Sequence, residues 1–199
     1  MIIAGLAFCS FLSVQLFFQD GFGLFIGLFI EDKSTFPISI QEEVASELPV
    51  SVARPVRLKI LAINVDSAIE YVGLAPDGTM DVPKERANVA WFSLGASPGE
   101  SGSAVIAGHY GWENKKGSAF DNLYKLREGD KLYIEDDRGA TISFVVRESR
   151  RYDPKADASE VFGSSDDKSH LNLVTCEGVW DEHTNQYSKR LVVFTDRVE

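Results

Sequence analysis

Residues 171–195 read LNLVTCEGVWDEHTNQYSKRLVVFT and predict two β-strands joined by a polar loop. The apolar runs Leu171–Cys176 and Leu191–Thr195 flank the polar segment Glu177–Lys189, which is typical of a strand pair. If the two runs pair antiparallel, Cys176 at the end of the first and Arg190 at the start of the second can be near neighbours.

The same strand pattern extends outward over most of the chain. Short apolar or alternating runs are separated by turn sequences such as Pro76-Asp77-Gly78 and Glu128-Gly129-Asp130. Short helices are possible over Ser118–Leu126 and Ala156–Phe162. The runs predict a small closed or sandwich-like β-structure. Besides the two strands above, they are Val56–Val65, Ile69–Leu74, Val89–Phe92, Ala104–Gly108, Lys131–Glu135 and Thr141–Val146.

The N-terminus is of a different kind. Ile2–Phe18 is almost entirely apolar and Phe22–Ile30 is apolar again, so residues 1–30 are expected to form a membrane anchor or signal-anchor. A cleaved signal peptide is the alternative, but no basic residue precedes the run and no clear Ala-x-Ala site follows it. Residues 31–55 are polar and contain three prolines, as expected of a linker. Residues 56–199 are then the folded domain.

Composition excludes several functions. The 199-residue chain carries a net charge of −10, which disfavours binding to nucleic-acid phosphates. It contains no phosphate-binding glycine motif and no zinc-ligand spacing, so no cofactor is expected. The acidic pairs Asp136-Asp137 and Asp166-Asp167 are most simply solvated loop charges, although they leave modulation by calcium open.

The two cysteines, Cys9 and Cys176, are not expected to pair, since one lies in the apolar segment and the other in the folded domain. Cys176 is then a lone thiol, and it is either a buried small apolar side chain or a reactive group. Strand alternation places it on one face with Asn172 and Val174, at the mouth of the strand. Glu177 points to the other face.

His109 and Arg190 give the thiol a chemical context. His109 follows the small-residue strand Ser103–Gly108, where backbones approach closely. An imidazolium favours thiolate and can protonate a leaving amine, and an arginine can stabilise the developing oxyanion. The other histidines, His170 and His183, lie in polar stretches, where solvated or satisfied side chains are the ordinary outcome.

Three segments resemble the sortase family. The segment PGESGSAVIAGH ending at His109 resembles the one that carries the family's histidine. Asn172-Leu173-Val174-Thr175-Cys176 resembles the Thr-Leu-x-Thr-Cys signature, with Asn172 where the signature has threonine. Lys189–Val193 resembles the strand that carries the family's arginine. The resemblance covers roughly residues 56–198, and the order His, Cys, Arg distinguishes it from papain-like and NlpC-type peptidases.

The resemblance implies an eight-stranded sortase-type β-barrel and catalytic roles for His109, Cys176 and Arg190, with Thr175 and Val174 as substrate-binding residues. It also implies cleavage of an LPxTG-like sorting signal between Thr and Gly through an acyl-enzyme on the cysteine. The partners would be surface proteins with a C-terminal sorting signal, and an amine such as a peptidoglycan precursor or a pilin lysine. The protein would be single-pass, with an extracytoplasmic catalytic domain. The segment from Trp91 to Glu100 is more similar to class D, E and F sortases than to class A.

Two alternatives use the same residues. A cysteine hydrolase would release the acyl group to water, and the sequence does not distinguish it because the outcome depends on which nucleophile reaches the acyl-enzyme. A non-enzymatic β-domain that binds a peptide along a groove would instead leave Cys176 unreactive.

Overall fold

The computed structural model describes residues 53–111 and 117–198. The expected membrane segment at residues 1–30, and all but the end of the expected linker at 31–55, lie outside the described residues. Among the residues that are described, no helix has both the length and the apolar character needed to cross a membrane.

The described chain is mainly β. A single turn of α-helix, α1 (Ser159–Phe162), and two 3₁₀-helices, Leu61–Ile63 and Leu123–Lys125, lie between strands. The strands are β1 (Pro55–Ile60), β2 (Val65–Val72), β3 (Val89–Phe92), β4 (Gly102–Gly108), β5 (Lys131–Asp136), β6 (Thr141–Tyr152), β7 (Ser169–Asp181) and β8 (Gln186–Arg197).

These eight strands close into a barrel in the order β1-β2-β3-β4-β7-β8-β6-β5. Two of the neighbouring pairs, β2 with β3 and β4 with β7, are parallel, and the other pairs are antiparallel. Closure pairs every strand on both sides and leaves no open sheet edge. The prediction of a closed, eight-stranded, mainly β domain is confirmed.

Strand limits differ from the prediction at several places, and β6 extends to Tyr152, well beyond the predicted end at Val146. The predicted strand Val56–Val65 is interrupted after Ile60, because the 3₁₀-turn ends at Asn64 in the left-handed region (φ 52°) and reverses the chain into β2. The predicted loop Glu177–Lys189 is mostly a hairpin, since β7 continues to Asp181 and β8 begins at Gln186. The helices are also shorter than the predicted segments.

Alternation along the strands divides the apolar residues between two sides of the barrel wall. Leu171, Leu173 and Leu191 point inward and are at most 1% exposed, in the main core. Val192 and Val105 point outward into a second apolar cluster, which α1 covers through Val161. The outer face of the β4–β7–β8 wall is therefore a second packed layer, as expected where a helix lies on a sheet.

Truncation of Leu173 tests whether this side chain belongs to the barrel core. Leu173→Ala removes a fully buried side chain and should lower the free energy of unfolding by about 2–5 kcal/mol. Leu61→Ala, at a side chain that is 73% exposed, is the matched control and should change stability little. Chemical denaturation of the full-length variants measures both, and equal losses would contradict the inward orientation of β7.

Candidate active site

Cys176 and Arg190 lie directly opposite each other on two paired strands. The antiparallel register of β7 and β8 matches Val174 with Val192 and Cys176 with Arg190. Opposite residues of an antiparallel pair project from the same face, with Cβ atoms roughly 4.5–5.5 Å apart. The neighbourhood expected from the sequence is therefore present, on the outer face of the barrel wall.

His109 extends this pair into a row across three strands. The parallel register of β4 and β7 matches Ala107 with Val174, and both lie on the outer face. Two residues further along each chain, His109 stands level with Cys176. The three side chains predicted to do chemistry thus meet just beyond the end of β4, within β7 and at the facing part of β8. Cys176 lies inside β7 and not at the mouth of its strand as predicted, because the strand continues to Asp181 through its pairing with β8.

Two buried contacts at the end of β4 hold His109 beside Cys176. The Thr175 hydroxyl, whose residue is 3% exposed, donates a 2.7 Å hydrogen bond to the carbonyl of Gly108 and ties β7 to the end of β4. Phe120, fully buried, packs against Gly108 so closely that a Cβ there would lie 2.5 Å from its ring. The glycine before His109 is thus required by packing.

The Cys176 thiol is mostly in its neutral form in the resting site. Burial raises the pKa of the Cys176 thiol, and the positive charge of Arg190 opposes that rise only in part. The carboxylate of the adjacent Glu177 is paired with Arg151, with one N–O distance of 2.9 Å, so its charge is largely neutralised. A proton must therefore leave the thiol before it can act as a nucleophile.

Arg190 and His109 are each oriented by backbone carbonyls. One terminal nitrogen of Arg190, Nη1, donates to the carbonyls of Tyr187 and Lys189, both at 3.1 Å. Nε2 of His109 lies 2.8 Å from the carbonyl oxygen of Pro83, and since a carbonyl only accepts, Nε2 carries the proton. Nδ1 is then the ring nitrogen left to exchange protons with the reacting groups.

Two clefts meet at these three residues. The first is an apolar groove of about 230 Å³ bounded by Val82, Tyr152, Phe162 and Val192 among other side chains. The second, of about 530 Å³, is bounded by polar and aromatic side chains. His109, Cys176 and Arg190 line both clefts, so the thiol is reachable from two sides. The aromatic part of the second cleft is a chain of edge-to-face contacts formed by Tyr110, Tyr187 and Trp180.

The chain matches one family over most of its length. Residues 58–198 match the sortase domain. The chain belongs to the sortase family. No curated protein matches it.

Solved sortases share the fold at modest identity. Sortase C-1 from Actinomyces oris is 26% identical with a TM-score of 0.58, over 73% of this chain and 75% of that one. A lid mutant of sortase A from Corynebacterium diphtheriae is 25% identical with a TM-score of 0.57, covering 74% and 72%. A lid mutant of sortase C1 from Streptococcus agalactiae is 26% identical with a TM-score of 0.56, covering 72% and 69%.

Membership makes this protein a cysteine transpeptidase, and sortases act outside the cytoplasm. The matched structures are sortases A and C, so the similarity to classes D, E and F stays a prediction. Asn172, at the position where the sortase signature has threonine, is buried, and its amide donates a 2.7 Å hydrogen bond to the carbonyl of Val161. Asn172, which replaces the threonine of the signature, thus holds α1 in place as a wall of the groove.

The other histidines of this sortase are placed away from the two clefts. His183 has a side chain that is 98% exposed, beside Asp181 in the hairpin turn. His170 is buried between Asp166 and Asp196, with 2.8 Å from each ring nitrogen to a carboxylate oxygen. Both agree with the ordinary outcome expected of them.

The acidic pairs are engaged in local structure. Asp136 accepts hydrogen bonds from the backbone of Arg138 and Ala140, and Asp166 contacts His170. Within residues 53–111 and 117–198, no group of three or more potential ligands is placed to hold a metal ion.

Sequence reasoning missed the groove walls. Met80 and Val82 come from the β2–β3 connection, and Tyr152 comes from the end of β6. Pro83 supplies the carbonyl that His109 contacts. Neither spacing nor residue type marks these positions, because their contact with the site depends on the path of a long connection.

Adding a methyl group at Gly108 should damage the sortase site through packing. Gly108→Ala forces the Phe120 ring or the strand end to move. It should lower the free energy of unfolding by about 1–3 kcal/mol and should also reduce transpeptidase activity. Gly73→Ala is the control, because its nearest atom would lie at an ordinary 3.8 Å. Denaturation curves that match for the two variants would contradict this packing.

The pH dependence of Cys176 alkylation should reveal the buried thiol. Only thiolate reacts, so a raised pKa places half-maximal alkylation above the roughly 8.5 of an unperturbed thiol. Arg190→Gln removes the opposing charge and should move the midpoint higher still. Arg197→Gln, at the far end of β8, should not move it.

Iodoacetamide with peptide-level mass spectrometry of the full-length chain follows Cys176 separately from Cys9. A wild-type midpoint below that of a free cysteine, or a downward shift in Arg190→Gln, would contradict the electrostatic interpretation.

Proposed function

We propose that this sortase cleaves an LPxTG-like sorting signal between Thr and Gly through an acyl-enzyme on Cys176 and transfers the new carboxyl end to an amine. The observation that carries the proposal is the row His109, Cys176, Arg190 at the meeting point of two clefts. A two-substrate acyl transfer needs a nucleophile that both substrates can reach.

In the acylation step, Nδ1 of His109 accepts the thiol proton and the sulfur of Cys176 attacks the carbonyl carbon of the threonine. Negative charge develops on the carbonyl oxygen, where the guanidinium of Arg190 donates charge-assisted hydrogen bonds. Collapse of the tetrahedral intermediate breaks the C–N bond. The leaving glycine amine takes the proton from His109, and a thioester remains.

The apolar groove is assigned to the sorting signal. Val174 and Val192 form its floor beside Cys176, and Val161 and Phe162 of α1 form a wall. These side chains suit the leucine and proline of the signal, whose burial supplies binding energy. Val174 is proposed to touch the substrate. Thr175 is also proposed as a substrate-binding residue. Its hydroxyl is hydrogen-bonded to the carbonyl of Gly108.

The aromatic cleft is assigned to the incoming amine. An amine entering past Tyr110 and Tyr187 meets the thioester from the side opposite the groove, where His109 can accept its proton. The amide bond forms as the C–S bond breaks, and the thiol of Cys176 is regenerated. The amine is a peptidoglycan precursor or a pilin lysine.

The proposal places this chemistry at the cell envelope. Residues 1–30 are proposed as a single-pass anchor with the catalytic domain on the extracytoplasmic side. The acyl donors are surface proteins with a C-terminal sorting signal, and the acyl acceptor is the amine. The net charge of −10 is consistent with a substrate that is a protein and not a nucleic acid.

Ligation of peptides tests the proposal. The full-length chain is mixed with a library of Leu-Pro-x-Thr-Gly peptides and an oligoglycine amine, and products are read by mass spectrometry. Cys176→Ala should reduce ligation by roughly 10³-fold or more, and Arg190→Ala by roughly 10²- to 10³-fold. The control His183→Ala should ligate like the wild type, because its side chain is solvated.

The ligation experiment also distinguishes the proposal from its alternatives. Cleavage of a peptide without ligation to any amine, including diaminopimelate and lysine side chains, would favour the hydrolase alternative. Full ligation by Cys176→Ala would overturn the proposal, and a large loss from His183→Ala would mean that the base is assigned to the wrong histidine.

A further inference from the structure

Pro83 holds His109 from a segment far along the chain. Pro83 is a buried residue, and its carbonyl oxygen lies 2.8 Å from Nε2 of His109. Pro83 belongs to the β2–β3 connection, residues 73–88, which also provides Met80 and Val82 to the groove. The position of this carbonyl therefore depends on what fixes the connection.

One carboxylate holds the part of the connection that follows Pro83. Glu70, near the end of β2, accepts the backbone N–H of Lys84 at 2.8 Å, the backbone N–H of Glu85 at 3.2 Å, and the side-chain amide of Asn88 at 2.9 Å. Two of these donors come directly after Pro83. The N–H of Asn88 also donates to the Glu85 carbonyl, which closes the end of the connection into a turn.

The carboxylate stays ionised in this position. Partial burial works to raise the pKa of Glu70, but the hydrogen bonds from Lys84, Asn88 and Glu85 outweigh burial and lower that pKa. Hydrogen bonds from backbone N–H groups to a carboxylate are among the strong ones in proteins. Glu70 is therefore a persistent anchor at neutral pH.

The same turn is also attached on the side of His109. Arg86 donates from Nη2 to the carbonyls of Tyr110, at 3.2 Å, and Gly111, at 2.8 Å, and its own carbonyl accepts from Ala119. The turn is thus bonded to Glu70 of β2 on one side and to the segment after His109 on the other. The Pro83 carbonyl contacts the imidazole ring of His109 between these two attachments.

We infer that Glu70 is a positioning residue for the transpeptidation, which it serves by holding the Pro83 carbonyl against Nε2 of His109. The inference rests on the proposed role of His109. The carbonyl selects the tautomer with the proton on Nε2 and leaves Nδ1 to exchange protons with the thiol and the amine. Without the anchor, the ring samples both tautomers and other orientations.

Kinetics of three full-length variants test the inference. Glu70→Ala should lower kcat of ligation roughly 10- to 100-fold, as small misplacements of a catalytic group do, with a smaller change in KM for the sorting peptide. Glu70→Gln keeps one acceptor oxygen and should fall between Glu70→Ala and the wild type. Asp136→Ala is the matched control, since it removes two backbone bonds to a carboxylate at the β5–β6 turn, outside both clefts.

A spectroscopic measurement separates positioning from general loss of structure. With ¹⁵N-labelled histidine in the full-length chain, long-range ¹H–¹⁵N correlation reports which ring nitrogen carries the proton. His109, assigned by comparison with His109→Gln, should be the Nε2–H tautomer in the wild type when its ring is neutral. It should become a mixture of tautomers in Glu70→Ala, while the spectrum of His170 stays unchanged.

Several results would overturn the inference. One is an unchanged kcat in Glu70→Ala. Another is an unchanged His109 tautomer, or a tautomer with the proton on Nδ1 in the wild type. A parallel loss of activity and thermal stability in Glu70→Ala and Asp136→Ala would show a purely structural role.

Two further measurements apply if Glu70→Ala does not fold or if the wild type does not ligate. If Glu70→Ala does not fold, Asn88→Ala removes one of the three bonds and is measured in the same way, with a smaller shift toward mixed tautomers expected. If the wild type shows no ligation that depends on His109, the proposed function fails, while the tautomer measurement still decides whether Glu70 positions the ring.

Discussion

The site depends on one constraint, the register of β7 against both of its neighbours. β7 runs parallel to β4 and antiparallel to β8, so one of its residues, Cys176, stands between His109 and Arg190. A shift of one residue in either pairing would turn a side chain of the row into the core. The Thr175 hydrogen bond to Gly108 and the packing of Phe120 on that glycine hold the register where it matters. The buried side chains of the barrel core hold the strands rigidly, and the outer face of β7 and β8 carries Cys176 and Arg190.

Burial of the thiol creates a problem that the neighbouring groups resolve. A half-buried Cys176 keeps its proton at rest, which slows oxidation because the thiolate is the reactive form. Reaction then requires a base of defined tautomer and a cation that stabilises negative charge. Carbonyl groups orient both of these partners: Pro83 contacts His109, while Tyr187 and Lys189 contact Arg190. Carbonyl groups do not titrate, so this orientation is independent of pH.

The strand pattern was sufficient to predict a small closed or sandwich-like β-structure, because period-two alternation and turn residues are local signals. The eight-stranded barrel and the roles of His109, Cys176 and Arg190 were implied by the resemblance to sortases. Alternation also placed Val174 and Cys176 on one face. The break after Ile60 was missed, since a left-handed Asn64 inside an otherwise apolar run has no strong local signal. The hairpin beyond Glu177 was missed because its residues are polar and its pairing comes from cross-strand contacts. Glu70 and Pro83 could not be found at all, since their link to His109 arises only when the β2–β3 connection folds back on the site.

The central claim is that Cys176 is the acyl carrier in the middle of this three-strand row. Rapid mixing of the full-length chain with a sorting peptide that it cleaves, followed by acid quench and peptide mapping, tests it most directly. The account predicts a thioester of the threonine acyl fragment on Cys176, removed by hydroxylamine, formed more slowly in Arg190→Gln and depleted when the amine is added. Turnover of the peptide with Cys176 unmodified at every time point would contradict it.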